Sequence, residues 1–157
     1  MEQNDTELLD AAERLALLLA EGGMQRTTAR VMTALLYSQE ETMTAGTLCE
    51  RLQISSGAVS GAVKQLIQIG IIERVPAPGS RRDHYRFRKH AWATMMGNQN
   101  AVIDIMEQAA SEGLGLAGTQ SPAGRRLHAM HDFYAFMQRE FTPLIEKWRE
   151  QYDAENP

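Results

Sequence analysis

Apolar residues recur at helical spacing from the start of the chain, and the pattern predicts two successive helices. The first is expected at residues 5–22, with Asp5 as its N-cap and the pair Gly22 and Gly23 as its end. Its apolar stripe consists of Leu8, Ala12, Leu15 and Leu19. The second helix is expected at about residues 28–38. Its inner face consists of Val31, Met32, Leu35 and Leu36.

Two further helices are predicted on either side of a three-residue turn. Thr44 is the expected N-cap of the first, which ends at Leu52, and Ser55 is the expected N-cap of the second, which ends near Gln68. Their apolar positions are Leu48, Leu52, Val59, Val63 and Leu66. These aliphatic side chains would hold the two helices together, so the polar side of the second helix faces outward. That polar side consists of Ser56, Gly57, Ser60, Gly61 and Lys64.

The period of the pattern then changes from helical to two, which is typical of strands. Residues 71–75 are rich in β-branched side chains, and residues 84–88 alternate strictly, with Tyr85 and Phe87 on one face. Residues 76–83 lie between them and contain two prolines and a glycine, which excludes a helix there. The sequence therefore predicts a hairpin with a long basic loop, which we call the wing loop (residues 76–83).

Two long helices are predicted in the C-terminal third. One runs from about residue 90 to residue 111, and three glycines end it (Gly113, Gly115 and Gly118). The second begins at Ser121 and Pro122, because proline suits the first turn of a helix. Its apolar residues extend to Tyr152, and the proline of the Thr-Pro pair at residues 142–143 is expected to kink or restart it.

Composition narrows the class of protein. The chain has 157 residues, of which 43% are apolar and 23% are charged, as in an ordinary globular domain. A single cysteine, Cys49, excludes a disulfide framework and a multi-cysteine metal cage. No apolar run reaches the roughly 20 residues of a membrane span, and no secretory signal pattern opens the sequence. We therefore expect a cytoplasmic protein that contacts no membrane.

Charge is distributed unevenly along this acidic chain. The net charge is −4, yet residues 51–90 hold eight Lys/Arg and only two acidic residues. This block carries +6 and the remainder carries −10. A basic block in an acidic chain indicates one face that meets a polyanion, although a solvated, charged hairpin would give the same count.

The predicted order of elements is that of a winged helix-turn-helix: three helices, a tight turn, a helix, and two strands joined by a basic loop. We therefore expect an α-rich α+β fold. In this architecture the second helix of the helix-turn-helix enters the major groove of DNA. Glycine and serine on its outer side allow close approach, and the wing reaches the neighbouring minor groove or backbone.

The stretch from Thr44 to Arg88 resembles the winged-helix domain of MarR-type transcriptional regulators. Further motifs are most similar to the GbsR-like branch of that family. They are Gly-Gly-Met-Gln-Arg-Thr at residues 22–27, Pro-Gly-Ser-Arg-Arg at residues 78–82, and a late Phe-Tyr, Pro143 and Trp148-Arg149. The commonest MarR wing reads Asp-x-Arg, whereas here the acid follows the two arginines. Which arginine enters the groove is therefore open.

The resemblance implies a single MarR-like domain over residues 1–157, with a DNA-binding core at residues 26–89. The helices at residues 5–22 and 90–153 would then form a homodimer. It further implies a sequence-specific regulator of transcription that acts as a repressor on a pseudo-palindromic operator in double-stranded DNA. A small-molecule effector could shift the spacing of the two recognition helices. The GbsR-like motifs point to control of osmoprotectant or efflux genes.

These inferences predict two sets of functional residues, one for DNA and one for an effector. DNA contacts are expected from Ser55, Ser56, Ser60, Lys64 and Gln65 on the recognition helix and from Arg81 and Arg82 on the wing. Phosphates would supply most of the affinity, because the recognition helix carries no arginine on its outer face. An effector is expected between the winged-helix domain and the dimer helices. The residues nominated for it are Trp92, Met95, Met96 and Phe133.

Other readings of the same features stay open. A winged helix can serve as a protein-interaction module that does not read DNA. Cys49 suits a small, half-buried position better than a redox sensor. His128 and His131 have the spacing of two metal ligands but no evident third, which favours a polar interface pair and no metal. No catalytic motif is present, so we expect neither an enzyme nor a cofactor.

Overall fold

The computed structural model describes residues 2–157, which form two compact units. The first unit extends to Ala91, and the second runs from Trp92 to Pro157. The first unit contains four helices and three strands. In chain order they are α1 (Glu2–Glu21), α2 (Arg26–Leu36), β1 (Met43–Thr44), α3 (Ala45–Leu52), α4 (Ser56–Gln68), β2 (Ile72–Val75) and β3 (His84–Phe87). This is the α-rich winged helix-turn-helix that the sequence predicts.

The three strands form one antiparallel sheet in the order β1–β3–β2. Strand β3 lies in the centre, where His84 is opposite Val75 on one side and Thr44 on the other. The two-residue strand β1 was not predicted, because a pair such as Met43-Thr44 has no period of its own. It forms only when β3 is beside it, and it joins the loop before α3 to the wing hairpin.

The core of the first unit is built from the apolar faces that the sequence indicates. The side chains that are fully buried include Val31, Leu48, Val59, Leu66, Ile71 and Ile72. Burying an aliphatic side chain of this size contributes about 1.5–3 kcal/mol, so these faces fix how α2, α3, α4 and the sheet pack. An ion pair between Arg30 and Glu13, 2.9 Å apart, joins α2 to α1 at the surface.

Side-chain caps set the starts of the helices that matter most for the site. The Thr44 hydroxyl accepts a hydrogen bond from the amide of Thr47 at 3.1 Å, and the Ser55 hydroxyl accepts one from Ala58 at 3.2 Å. Each bond satisfies an amide that the first turn of a helix leaves without a partner. Both predicted caps are confirmed. The predicted cap Asp5 is wrong, because α1 already includes residues before it.

The second unit consists of helices alone. They are α5 (Ala91–Gly97), α6 (Asn100–Ala117) and α7 (Pro122–Glu155), and α6 packs along α7 as a helical hairpin. The predicted helix at residues 90–111 is therefore two helices. The break consists of Asn98 and Gln99 and follows Gly97; glycine and asparagine are both poor helix formers.

Two other predictions for the C-terminal third need correction. Gly113 and Gly115 do not end the preceding helix, because α6 continues through them and ends at Ala117, with Gly118 at φ +72° as its cap. The last helix does not restart at Pro143, because α7 is one continuous helix of 34 residues. Ser121 caps it as predicted, accepting a hydrogen bond from the amide of Gly124 at 2.9 Å.

The turn between α6 and α7 needs a glycine at position 124. A Cβ there would lie 1.8 Å from the carbonyl oxygen of Gly118, which is backbone and cannot swing away. We expect Gly124→Ala to lower the free energy of unfolding by about 1–3 kcal/mol, as overpacking commonly does. Thermal unfolding followed by circular dichroism measures this.

The matched control for that substitution is Gly115→Ala. A Cβ on Gly115 meets nothing within 4 Å, and alanine favours a helix interior over glycine by up to about 1 kcal/mol. The control should therefore unfold at the same temperature as the wild type or a higher one. Equal melting temperatures for Gly124→Ala and wild type would contradict the close approach.

Candidate nucleic-acid interface

Helix α4 has two chemically distinct sides. Its buried side consists of Val59, Ala62, Val63 and Leu66, which are at most 4% exposed. Its exposed side consists of Ser56, Gly57, Ser60, Gly61, Lys64, Gln65 and Gln68. The small side chains at 56, 57, 60 and 61 lie one turn apart in pairs. They leave a low polar surface that another molecule can approach closely.

A left-handed residue makes the tight turn between α3 and α4. Gln53 has φ +54° and its amide donates to the carbonyl oxygen of Cys49, which ends α3. Ser55 then begins α4, so only three residues separate the two helices. The turn and the buried aliphatic residues together hold α4 with its polar side outward, as sequence reasoning expected.

The wing loop is a defined structure with a tight turn at its start. The amide of Ser80 donates to the carbonyl oxygen of Ala77 at 3.1 Å, and Gly79 has φ +76°. Proline at the second position and a left-handed glycine at the third are what a type II turn requires. Pro78 and Gly79 therefore shape the loop that carries the two wing arginines.

Both acidic residues of the basic block are paired within the hairpin. Glu73 lies 2.9 Å from Arg86, and Asp83 lies 3.3 Å from Arg74. These surface pairs contribute little stability. Their consequence is electrostatic, because the two acids neutralise arginines at the base of the hairpin, and the positive charge of the wing loop itself is left to Arg81 and Arg82.

The two wing arginines differ in their surroundings. The Arg82 guanidinium lies 3.8 Å from the position that a Cβ on Gly46 would take, so it folds back against the first turn of α3. Arg81 is exposed, and the structure shows it no hydrogen bond or ion pair to any other part of residues 2–157. Arg81 thus lacks the contact with α3 that Arg82 makes.

The structure brings α4 and the β2–β3 hairpin together. Ser60 and Lys64 of α4 line a cleft of about 380 Å³ whose opposite wall includes Arg74 and Tyr85. The Arg74 guanidinium lies 6.0 Å from the centre of the Tyr85 ring. Sequence reasoning counted Arg74 in the basic block but did not place it at the site, because its position depends on the pairing of β2 with β3.

The Gln65 side chain is hydrogen-bonded to a residue of α2. Its side-chain oxygen accepts a hydrogen bond from the Thr28 hydroxyl, and Thr28 itself is buried. Of the predicted DNA contacts, Gln65 and the helix cap Ser55 are therefore already engaged within the protein through their side chains. Ser55, Ser56, Ser60 and Lys64 are exposed on or beside the outer side of α4.

The four residues nominated for an effector do not form one group within a single chain. Trp92, Met95 and Met96 lie on α5, whereas Phe133 lies on α7. A Cβ on Gly97, at the end of α5, would lie 4.0 Å from the Arg149 guanidinium. Phe133 is 16 residues before Arg149 on α7, about 24 Å along the helix axis. Their role in effector binding stays a prediction.

An apolar cleft that the sequence did not indicate lies in the first unit, beside the C-terminal end of α4. Its volume is about 670 Å³, and it adjoins the hydrogen bond between Thr28 and Gln65. The lining residues are Leu18, Leu19, Gly22, Met24, Thr28, Gln65, Gln68 and Ile69. They come from residues 18–28 and residues 65–69, which are distant in sequence, so no local pattern could have grouped them.

His131 and Cys49, the other residues considered for metal binding or redox chemistry, occupy ordinary structural positions. His131 lies 3.0 Å from Glu107 across the α6–α7 hairpin, and Cys49 is half-buried. Within residues 2–157 no three side chains of the metal-binding types come together. No helix in that same range has the length and apolar character needed to cross a bilayer.

Comparison with known families gives two adjacent matches. Residues 22–83, which contain α2, α3, α4 and the wing loop, match the profile described as the MarR family. Residues 90–151, which contain α5, α6 and most of α7, match a profile described as MmpR5-like MarR family transcriptional regulators. The first match lies within the first unit, and the second spans most of the second unit.

Individual relatives agree with these profiles. The chain is 26% identical over 148 residues to the HTH-type transcriptional regulator MmpR5 of Mycobacterium tuberculosis, covering 94% of this chain and 90% of that protein. It also resembles a crystal structure described as a transcriptional regulator, with a TM-score of 0.81 and 26% identity. That similarity covers 92% of this chain and 99% of the other.

Proposed function

Because the chain belongs to the MarR family of DNA-binding transcriptional regulators, we propose that α4 is its recognition helix and the wing its second DNA contact. The observation that carries this proposal is the two-sided α4, whose exposed side is polar and free of large side chains. In the same unit, the wing presents two arginines beyond the paired acids.

The difference between the wing arginines suggests separate roles for them. Arg81 is exposed and makes no hydrogen bond or ion pair within residues 2–157, which suits insertion into the minor groove beside the site of α4. Arg82 lies against the first turn of α3, where its guanidinium would meet a phosphate of the DNA backbone. Ser55, Ser56, Ser60 and Lys64 would contact further phosphates and nearby base edges.

We further propose that two chains act together as a homodimer. Several large apolar side chains of α6 and α7 are exposed in the single chain, and exposed apolar surface of this kind marks interaction sites. They are Val102, Ile105, Leu116, Phe133, Phe136, Leu144, Trp148 and Tyr152. A two-fold dimer presents two recognition helices, so its operator would be pseudo-palindromic and its binding would repress transcription by blocking a promoter.

We also propose a branch of the family for this chain and a binding site for its effector. The motifs at residues 22–27 and 78–82 support the GbsR-like branch and, through it, control of osmoprotectant or efflux genes. An effector would bind near Trp92, Met95, Met96 or Phe133, or in the apolar cleft beside the end of α4. The cleft is supported by its volume and by its contact with Gln65 of the recognition helix.

The direct test of the DNA-binding surface places one acid on α4. We expect Ser60→Glu to weaken binding to duplex DNA at least about tenfold, because the new carboxylate would face the phosphates. The control is Ser111→Glu, which adds the same charge at an exposed position of α6. Fluorescence anisotropy with the DNA upstream of the protein's own gene, and with a random duplex, measures both variants.

Two results would contradict the proposal. Equal affinities for Ser60→Glu, Ser111→Glu and the wild type would mean that α4 does not face DNA. Binding to neither duplex, with no retention on heparin, would favour the protein-interaction module instead.

A further inference from the structure

Hydrogen bonds connect the wing loop to the loop before β1 through His84. The Nδ1 atom of His84 lies 2.9 Å from the Thr42 hydroxyl, and its Nε2 atom lies 3.2 Å from the Ser80 hydroxyl. The Ser80 hydroxyl also accepts a hydrogen bond from the backbone amide of Arg82 at 3.1 Å. The side chains of Thr42, His84 and Ser80 thus form one continuous hydrogen-bonded path, which ends at the backbone amide of Arg82.

The two ends of this path differ in how firmly they are held. His84 is half-buried and is the first residue of the central strand, paired with Val75 and Thr44. Ser80, Arg81 and Arg82 are exposed. The imidazole therefore anchors an exposed loop to the sheet, and both of its ring nitrogens are used in doing so.

We infer that His84 is a positioning residue for DNA binding, which acts through Ser80 to hold the backbone at Arg82. The inference rests on the proposed contact of Arg81 and Arg82 with DNA. A loop that is ordered before binding loses less conformational entropy on the DNA than a free loop does. The His84–Ser80 link would therefore raise affinity without touching the DNA itself.

The two ring nitrogens allow the link to be tested with side chains of matched reach. In glutamine, the terminal amide nitrogen extends about as far as Nε2, so His84→Gln can keep the hydrogen bond to Ser80. Asparagine extends only about as far as Nδ1, so His84→Asn can keep the bond to Thr42 alone. Alanine at position 84 loses both bonds, and Ser80→Ala removes the link from the loop side.

We expect His84→Ala, His84→Asn and Ser80→Ala each to weaken binding to a random duplex by roughly threefold to tenfold. His84→Gln should bind close to wild type. The double variant His84→Ala/Ser80→Ala should bind no more weakly than the weaker single variant, because both changes remove one link. Ser80 is exposed, so Ser80→Ala should keep the wild-type melting temperature and separate positioning from folding.

A second comparison separates this inference from the proposed function. If Arg81→Ala/Arg82→Ala binds like wild type, the wing contact itself is wrong. If that variant loses affinity but His84→Ala and Ser80→Ala do not, only the positioning role is wrong. A loss in His84→Ala that glutamine does not restore, or that persists when both arginines are already absent, would make His84 a fold-stabilising residue and overturn the inference.

Discussion

Replacing Arg81 and Arg82 together with alanine should weaken DNA binding by roughly tenfold to a hundredfold near physiological salt. These are the cations of the wing loop that the paired acids leave unneutralised. Each phosphate that a protein neutralises contributes about 0.9 to the slope of log affinity against log salt. A dimer loses four arginines in this variant, so the slope should fall by up to about 3.6.

The same variant should leave the fold and the dimer unchanged, since both side chains are exposed on a loop. Lys64→Ala is the comparison on the recognition helix, and we expect it to cost less than the double wing variant because it removes one cation instead of two. Anisotropy titrations between about 50 and 200 mM salt measure affinity and slope together. Wild-type affinity and slope in the double variant would show that the wing is not the main electrostatic contact.

Removal of residues 121–157, and with them α7, should leave a monomer or an aggregate. The truncation exposes the face of α6 that packs on α7, and it removes most of the apolar side chains proposed for the dimer. Light scattering coupled to gel filtration measures the mass. A well-folded dimer of the truncated chain would contradict the assignment of dimerisation to this helix.

A point substitution tests the same interface with the fold intact. Phe133 and Leu144 are 11 residues apart on α7, close to three turns, so they share one face, and Leu144 is 62% exposed. We expect Leu144→Asp to weaken the dimer by roughly tenfold to a hundredfold, because it places an unpaired charge in an apolar interface. Operator affinity should fall with it, since a monomer engages one half-site only.

Thr142→Asp is the matched control for that substitution. It adds the same charge two residues away, on the opposite side of α7, at a position that is already polar and exposed. The control should sediment as the wild type does in analytical ultracentrifugation. If both variants dissociate equally, the effect is one of charge on α7 and not of a specific apolar face.

The sequence by itself determined the parts of the site that depend on local chemistry. Thr44, Ser55 and Ser121 cap their helices as predicted, because a hydroxyl satisfies an amide only three residues away. The polar side of α4 follows from the spacing of Val59, Val63 and Leu66, which repeat about once per turn. Apolar periodicity and helix capping both depend on residues a few positions apart, so both can be predicted from the sequence.

The tertiary structure decided what depends on residues distant in sequence. Strand β1 exists because β3 pairs with it, and the path from Thr42 through His84 to Ser80 joins positions up to 42 residues apart. Helix α7 continues through Pro143, whose local preference predicted a kink or restart. Local preferences range from a few tenths of a kcal/mol for most residues to about 3 kcal/mol for proline in a helix, and the packing of neighbouring segments can outweigh them. Only the folded chain therefore shows that Arg82 contacts the start of α3 and that hydrogen bonds join the wing loop to His84.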